Sequence, residues 1–391
     1  MAESKKSETA RAFSEDGELK THVGGQALLE GIMMRGKFNW SVAVREPDGG
    51  IYLEEHDLAS GKDKNNWLYW PLVRGCRAFV ESLALGYKAL TIAAEHAFVE
   101  EVEPSAQAEE PQGEDFSWKR DFGNPDEMID ALGAQRTLEV VSEPTGDGGP
   151  APAASAEEPA EKPESKPLLG GTEMAVSMIL GLVLGVVLFI VAPAFVTNLI
   201  VGEYDQHTLL WNVVDGLLRI AVFVFYIWLI GRMSDIKRMF GYHGAEHKTI
   251  HCFEHGLPLT PDNARSFPRL HVRCGTAFLL MVMIIAIFVY TITPLDALIA
   301  AWGVPDGAPK LALVILVRIL LMPVIAGLAY EITVKWAGSH PSNPLVKVVL
   351  WPGMQMQRLT TREPDDGQIE CAIAAMQLVL DRENREAAAE A

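Results

Sequence analysis

From Met174 to Gly202 the chain carries no charged residue, between Glu173 and Glu203. A helix needs roughly 20 apolar residues to cross the hydrocarbon core of a bilayer. This run therefore predicts a membrane span, and it comes too late in the chain to be a signal peptide. Pro193 should kink that helix or mark its exit. A second span is expected at about 209–231, carrying Asp215 and Arg219 ahead of an unbroken apolar run from Ile220 to Ile230. A third, 274–295, is again uncharged. The fourth runs from about Leu311 to Ile332 and contains Arg318, Pro323 and Glu331.

The loops predict an orientation. Residues 203–208 contain no Lys or Arg, and 296–310 contains only Lys310. The 232–273 loop holds Arg232, Lys237, Arg238, Lys248, Arg265, Arg269 and Arg273, and the C-terminal segment adds Lys335, Lys347, Arg358 and Arg362. By the positive-inside rule both termini and the 232–273 loop face the cytoplasm, and four spans agree with that parity. The expected fold class is a mainly α membrane protein, with four transmembrane helices, a small cytoplasmic β unit and cytoplasmic or interfacial helices.

Outside the spans the chain divides by composition. Residues 1–21 are charged without an apolar pattern and read as a disordered tail. Residues 22–60 read as the β unit: Trp40 to Arg45 alternates, Pro47 to Gly50 supplies a turn, and Ile51 to Leu53 returns. Upstream, four glycines fall between His22 and Gly36. They predict either a backbone that approaches something closely or a bulged strand with tight turns. Segment 67–99 is helical in pattern, either lying on the anionic membrane surface or packed on the β unit. Residues 103–168 hold 16 Asp/Glu against 5 Lys/Arg and 9 of the 23 prolines, an acidic disordered linker. The transmembrane region, 173–340, is followed by C-terminal helices over 341–391. Asn343 to Arg358 reads as a surface helix, and Asp365 with Gln368 as a capping box opening the last helix. The formal charge of −18 disfavours a nucleic-acid partner, and only four cysteines exclude a disulfide scaffold.

Chemistry concentrates in Tyr242-His243-Gly-Ala-Glu246-His247-Lys-Thr-Ile-His251-Cys252-Phe-Glu254-His255. At 100° per residue, His243 and His247 lie one above the other and Glu246 sits about 60° to one side. The string His243-x-x-Glu246-His247 is the reversed zinc-protease pattern, two imidazoles for a metal and a carboxylate for base. Further potential ligands are His251, Glu254, His255, His271 and Cys274. Three readings stay open: a solvated histidine face, a structural zinc tied by His243, His247, His271 and Cys274, and a catalytic ion with an open position. Among the charges inside the spans, Asp215 and Arg219 pair at i,i+4. Arg318 reaches Asp215 or snorkels, and Glu331 is either a further ligand or a partner for Lys335.

Four segments resemble the YqhQ-like family of bacterial multi-pass membrane proteins: Gly24 to Gly36, Tyr242 to Thr249, Arg269 to Thr276 and Leu359 to Asp366. The likeness covers nearly everything except the tail and the acidic linker. Members carry a domain of unknown function and are often labelled predicted metal-dependent enzymes. The resemblance implies roles for His243, Glu246, His247, His271 and Cys274; His251 and His255 fall outside it.

The expectation is a protein of the bacterial cytoplasmic membrane that uses a divalent metal, zinc by its imidazole preference. It would be a hydrolase acting on a membrane-embedded substrate at the cytoplasmic face. His243 and His247 are ligands, Glu246 is the base, and His271 or Glu331 completes the shell, with Cys274 a further candidate. The rival is a non-enzymatic scaffold with a structural metal. A transporter comes third and would require an oligomer.

Overall fold

The computed structural model describes residues 12, 23–58, 69–97, 171–337, 340 and 343–390. The tail expected at 1–21, residue 12 apart, and the acidic linker at 103–168 lie outside them.

Strands β1 (Gly24–Leu28), β2 (Gly31–Arg35), β3 (Asn39–Arg45) and β4 (Ile51–Asp57) form one antiparallel sheet in sequence order. The hairpin read from the alternation is present, with Arg45 opposite Ile51 and Val44 opposite Tyr52. Its strands bury both faces. Met33, Trp40, Val42 and Val44 point to helix α1 (Val73–Ala97), meeting Leu85, Ala89 and Ala93. Ile32, Met34 and Ala43 point the other way, into a core with Tyr242, Ala372, Ala375 and Met376. Alternation by two sends each residue set to its own side, so the sheet is the middle of three layers.

Helix α2 (Gly171–Val186) passes through a π turn, Val187–Val191, into α3 (Ala192–Val201). Pro193 thus ends nothing: the wider turn before it absorbs the missing N–H. Helix α4 (Thr208–Ile230) follows, then α5 (Ser234–Glu254), α6 (Pro261–Arg265), α7 (Gly275–Ile292) and α8 (Leu295–Trp302). Helix α9 (Ala308–Tyr330) continues as a π turn, Glu331–Trp336, before α10 (Pro344–Thr360) and α11 (Asp366–Glu390). The capping box expected ahead of α11 forms reciprocally. The Gln368 N–H donates to Asp365 Oδ1 at 2.8 Å, and the Asp365 N–H to Gln368 Oε1 at 3.2 Å.

Among the described residues, three stretches are long and apolar enough to cross a membrane: Ile179–Val201, Thr208–Ile230 and Ala308–Trp336. The expected third span, 274–295, is shorter. Its helix, α7, stops at Ile292 because Thr293 turns extended ahead of Pro294. Its apolar part is Phe278–Ile292. Even so, α7 runs from one end of the helix bundle to the other. Cys274, just before it, lies beside His243; Leu295, just after it, packs with Tyr204 and Trp211. At 1.5 Å per residue its 18 residues span about 27 Å.

The charges between these helices satisfy one another. Arg219 Nε donates to Asp215 Oδ2 at 2.7 Å. Arg318 bonds Asp215 and Asn212 from the facing helix. Its guanidinium lies 4.6 Å from the Trp211 ring centre and 4.4 Å from that of Tyr290, a cation–π sandwich that offsets lost hydration. A second guanidinium N–H of Arg219 reaches the Ile190 carbonyl in the π turn at 3.4 Å.

Candidate metal centre

Helix α5 is buried from Phe240 through Cys252. Two glycines allow this: a Cβ on Gly241 would strike the Gln368 amide, and one on Gly244 the Arg362 carbonyl. His243 and His247 stack on consecutive turns, ring centres 4.5 Å apart. Each is held by a backbone carbonyl, His243 Nδ1 by Thr360 at 2.8 Å and His247 Nδ1 by Arg269 at 2.6 Å. A carbonyl only accepts, so Nδ1 carries a proton in both rings and Nε2 is the nitrogen left to face the site. Carbonyl anchoring of the far nitrogen is how proteins orient metal-binding histidines.

The two Nε2 atoms converge on Cys274. His243 Nε2 lies 3.2 Å from Cys274 Sγ. The His247 Nε2 is buried and has no hydrogen-bond partner. One ligand atom from each of His243, His247 and Cys274 falls within 4.8 Å of the others. Burial alone would push the Cys274 thiol up, but His243 and His247 outweigh it and hold it well below the ordinary thiol range. Conversely, burial works to lower His243, while the Cys274 sulfur raises it to about 9. Without metal, each of His243 and Cys274 thus favours the charged form of the other.

Glu246 is buried beside them. Burial raises its carboxyl above the usual range, against the lowering pull of His243 and His247. Strand β1 covers it: the Gly25 amide hydrogen-bonds the carboxylate, and a Cβ on Gly25 would come within 2.8 Å of its carboxyl carbon. The glycine-rich segment therefore makes a close approach, one of the two readings its composition left open, and its target is the site.

His271, an expected ligand, stands in a neighbouring cluster. It joins His251 and Glu254, all three buried, with ligand atoms within 4.8 Å of one another. Its Nε2 lies 3.4 Å from Glu254 Oε2, and its Nδ1 accepts from the Arg273 amide at 3.2 Å. Both ring nitrogens are thereby engaged away from Cys274. Gln357 clamps its backbone on either side at 2.8–2.9 Å. Burial, with His251, His247 and Arg273 around it, pushes His271 well below its ordinary value. The ring nonetheless stands 5.7 Å from that of His247, forming a wall of the site.

Glu331 is also not at the histidines. It takes a two-pronged bond from Arg74, one prong at 2.7 Å, and the Leu72 amide at 3.3 Å. Arg74, from the start of α1, is its hydrogen-bonded partner, and the expected Lys335 also acts on it electrostatically. His255 turns back on its own helix, to the His251 carbonyl at 2.8 Å. What the sequence reading missed are the contacts made by main chain: the Thr360 and Arg269 carbonyls and the Gly25 amide. The only signal for them lay in the glycine spacing.

Long apolar helices, a small sheet and a buried imidazole–thiol cluster at one end of the bundle define a helical membrane protein with a candidate metal centre. The signature of DUF1385, described as a protein of unknown function, matches residues 70–382, and the chain belongs to that family. It is 28% identical over 357 residues to the uncharacterized protein YqhQ of Bacillus subtilis (strain 168), covering 91% of this chain and 92% of that one. No solved structure matches.

Proposed function

We propose that the protein is a metal-dependent membrane enzyme, a hydrolase whose ion, zinc, is held by His243, His247 and Cys274. The observation that carries this reading is the buried, partnerless Nε2 of His247 facing the Cys274 sulfur. A buried acceptor with no donor costs roughly 1–3 kcal/mol, and a cation between the two imidazoles and the thiolate removes that cost. Two nitrogens and one sulfur suit zinc. Three protein ligands leave a fourth position for water, whereas a structural zinc needs a fourth side chain, and His271 is bound elsewhere. A zinc ion held by these residues would supply a water acidified towards pH 7. Glu246, buried alongside and outside the ligand set, is placed to take its proton.

In the bilayer the bundle crosses four times, with α7 as a short third span. The basic residues put the metal end and both termini in the cytoplasm. The substrate is then membrane-embedded.

The test is metal analysis of the detergent-purified protein, followed by cobalt substitution. Wild type should bind one ion. Its cobalt form should show a thiolate charge-transfer band and a visible spectrum that titrates with the bound water. Glu246→Gln should keep the ion and shift that titration. His247→Ala and Cys274→Ser should lose the ion. A cobalt spectrum that does not titrate would leave a structural ion in place of the enzyme.

A further inference from the structure

Where α4 gives way to α5, a cavity of about 240 Å³ opens among Ile227, Trp228, Leu359, Arg232, Lys237 and Arg362. Clefts for drug-sized ligands run to roughly 300–1,000 Å³, so this one suits a small polar group. Three of its lining residues are cations. Among the described residues no carboxylate pairs with any of them, although the nearby Arg238 is taken by Glu30 and Lys248 by Glu363. The acidic neighbours are engaged too: Asp235 accepts from Ser234 at 3.0 Å, and Glu363 holds Lys248 at 3.0 Å. All three are exposed, and the Arg232 guanidinium and the Arg362 main chain are held in place. Arg232 lies 3.3 Å over the Trp228 ring and donates to the Trp228 carbonyl at 3.2 Å. The Arg362 amide is pinned to the Phe240 carbonyl at 2.8 Å.

We infer that this cavity binds the phosphate-bearing headgroup of an anionic membrane lipid. Its position decides the source. It sits at the end of an apolar helix long enough to cross a membrane, at headgroup depth, with the Trp228 ring beside it as interfacial aromatics are. Ile227 and Leu359 offer apolar surface to the glycerol and first acyl carbons, while the guanidinium forks and the ammonium meet phosphate oxygens. The cavity also adjoins the candidate metal centre through one short segment. Leu359 and Arg362 line the cavity, and Thr360 between them supplies the carbonyl that orients His243. A lipid seated here would brace that segment. The inference rests on α4 crossing the bilayer, and not on the metal.

The experiment uses the full-length protein in detergent doped with phosphatidylglycerol or with diacylglycerol, counting retained lipid by native mass spectrometry. One phosphatidylglycerol per chain should stay bound under conditions that strip diacylglycerol. Arg232→Gln with Lys237→Gln should weaken retention by about tenfold or more, since charge-assisted bonds to phosphate are lost. Lys347→Gln, an exposed cation outside the cavity, should not change it. Both single variants carry exposed substitutions and should each show part of the loss, which keeps the test intact if the double variant misfolds. Unchanged retention in the single and double variants overturns the proposal. So does full displacement by excess inorganic phosphate, which would assign the cavity to a soluble anion. Lipid retained by a chain without metal upholds the cavity and removes only the enzyme reading.

Discussion

The thiolate at Cys274 can be measured without knowing a substrate. An ordinary thiol with a pKa near 8.5 is only about 1% thiolate at pH 6.5. Cys274 is held well below that range, with His243 and His247 overcoming its burial, so in metal-free protein a larger share of it is ionised at pH 6.5 than of an ordinary thiol. The reactive fraction rises by up to about a hundredfold. A less basic thiolate is a poorer nucleophile, with a Brønsted coefficient of about 0.4–0.5, so the net gain in rate is smaller than the gain in ionised fraction. The assay is iodoacetamide labelling of chelator-treated protein, followed residue by residue by peptide mass spectrometry between pH 6.5 and 8.5. Cys274 should label faster at pH 6.5 than an ordinary thiol and gain less with rising pH, because its thiol is held well below the ordinary range. Cys252 and Cys371, pushed up to about 11 and about 12 by burial, should stay silent. His243→Ala should abolish the advantage, and Zn²⁺ should protect wild type. A Cys274 rate that climbs tenfold per pH unit would refute the coupling of Cys274 to the histidines, and failure of Zn²⁺ to protect would refute the ligand assignment.

Arg318→Met should destabilise the bundle by about 3 kcal/mol, the low end for breaking a buried ion pair, because Asp215 keeps Arg219. A lowered thermal midpoint in detergent checks this, and adding Asp215→Asn should recover part of the loss. Reporters placed after Tyr204 and within 303–307 should read on one side of the membrane, and one after Arg238 on the other. A reporter within 303–307 that sides with Arg238 would show that α7 does not cross.

The features legible in the sequence were those set by local periodicity. Uncharged runs gave the long helices, i,i+4 spacing gave Asp215 with Arg219, and three-residue spacing gave the Asp365–Gln368 cap. The alignment of His243 with His247 is likewise a property of any helix. Partners far apart in the chain were harder. Glu331 looked level with the histidines, yet Arg74, more than 250 residues earlier, claims it. His271 lies two residues beyond Arg269, whose carbonyl orients His247, but the Gln357 clamp turns its ring to Glu254 instead. Pro193 was absorbed by a π turn, while Pro294 cut the third apolar helix short of its expected end. The backbone carbonyls that fix the histidine tautomers have no residue-type signature at all.

The layering of the sheet sets an order of assembly. One face of β2 and β3 is covered by α11, with Ser41 Oγ donating to the Ala375 carbonyl at 2.7 Å and Arg45 to the Gly367 carbonyl at 2.7 Å. Those partners are separated by 334 and 322 residues. Every apolar helix is synthesised between them, so the strands must wait, with Ile32, Met34 and Ala43 uncovered, while the bundle inserts. Contacts of such separation form late and leave apolar surface open in the interval. The roof over Glu246 is β1, which pairs with β2 in the same sheet. The enclosure around the histidines is therefore the last part of the molecule to close, and a ribosome stalled before α11 would release a chain already inserted but with its metal cradle still open to water.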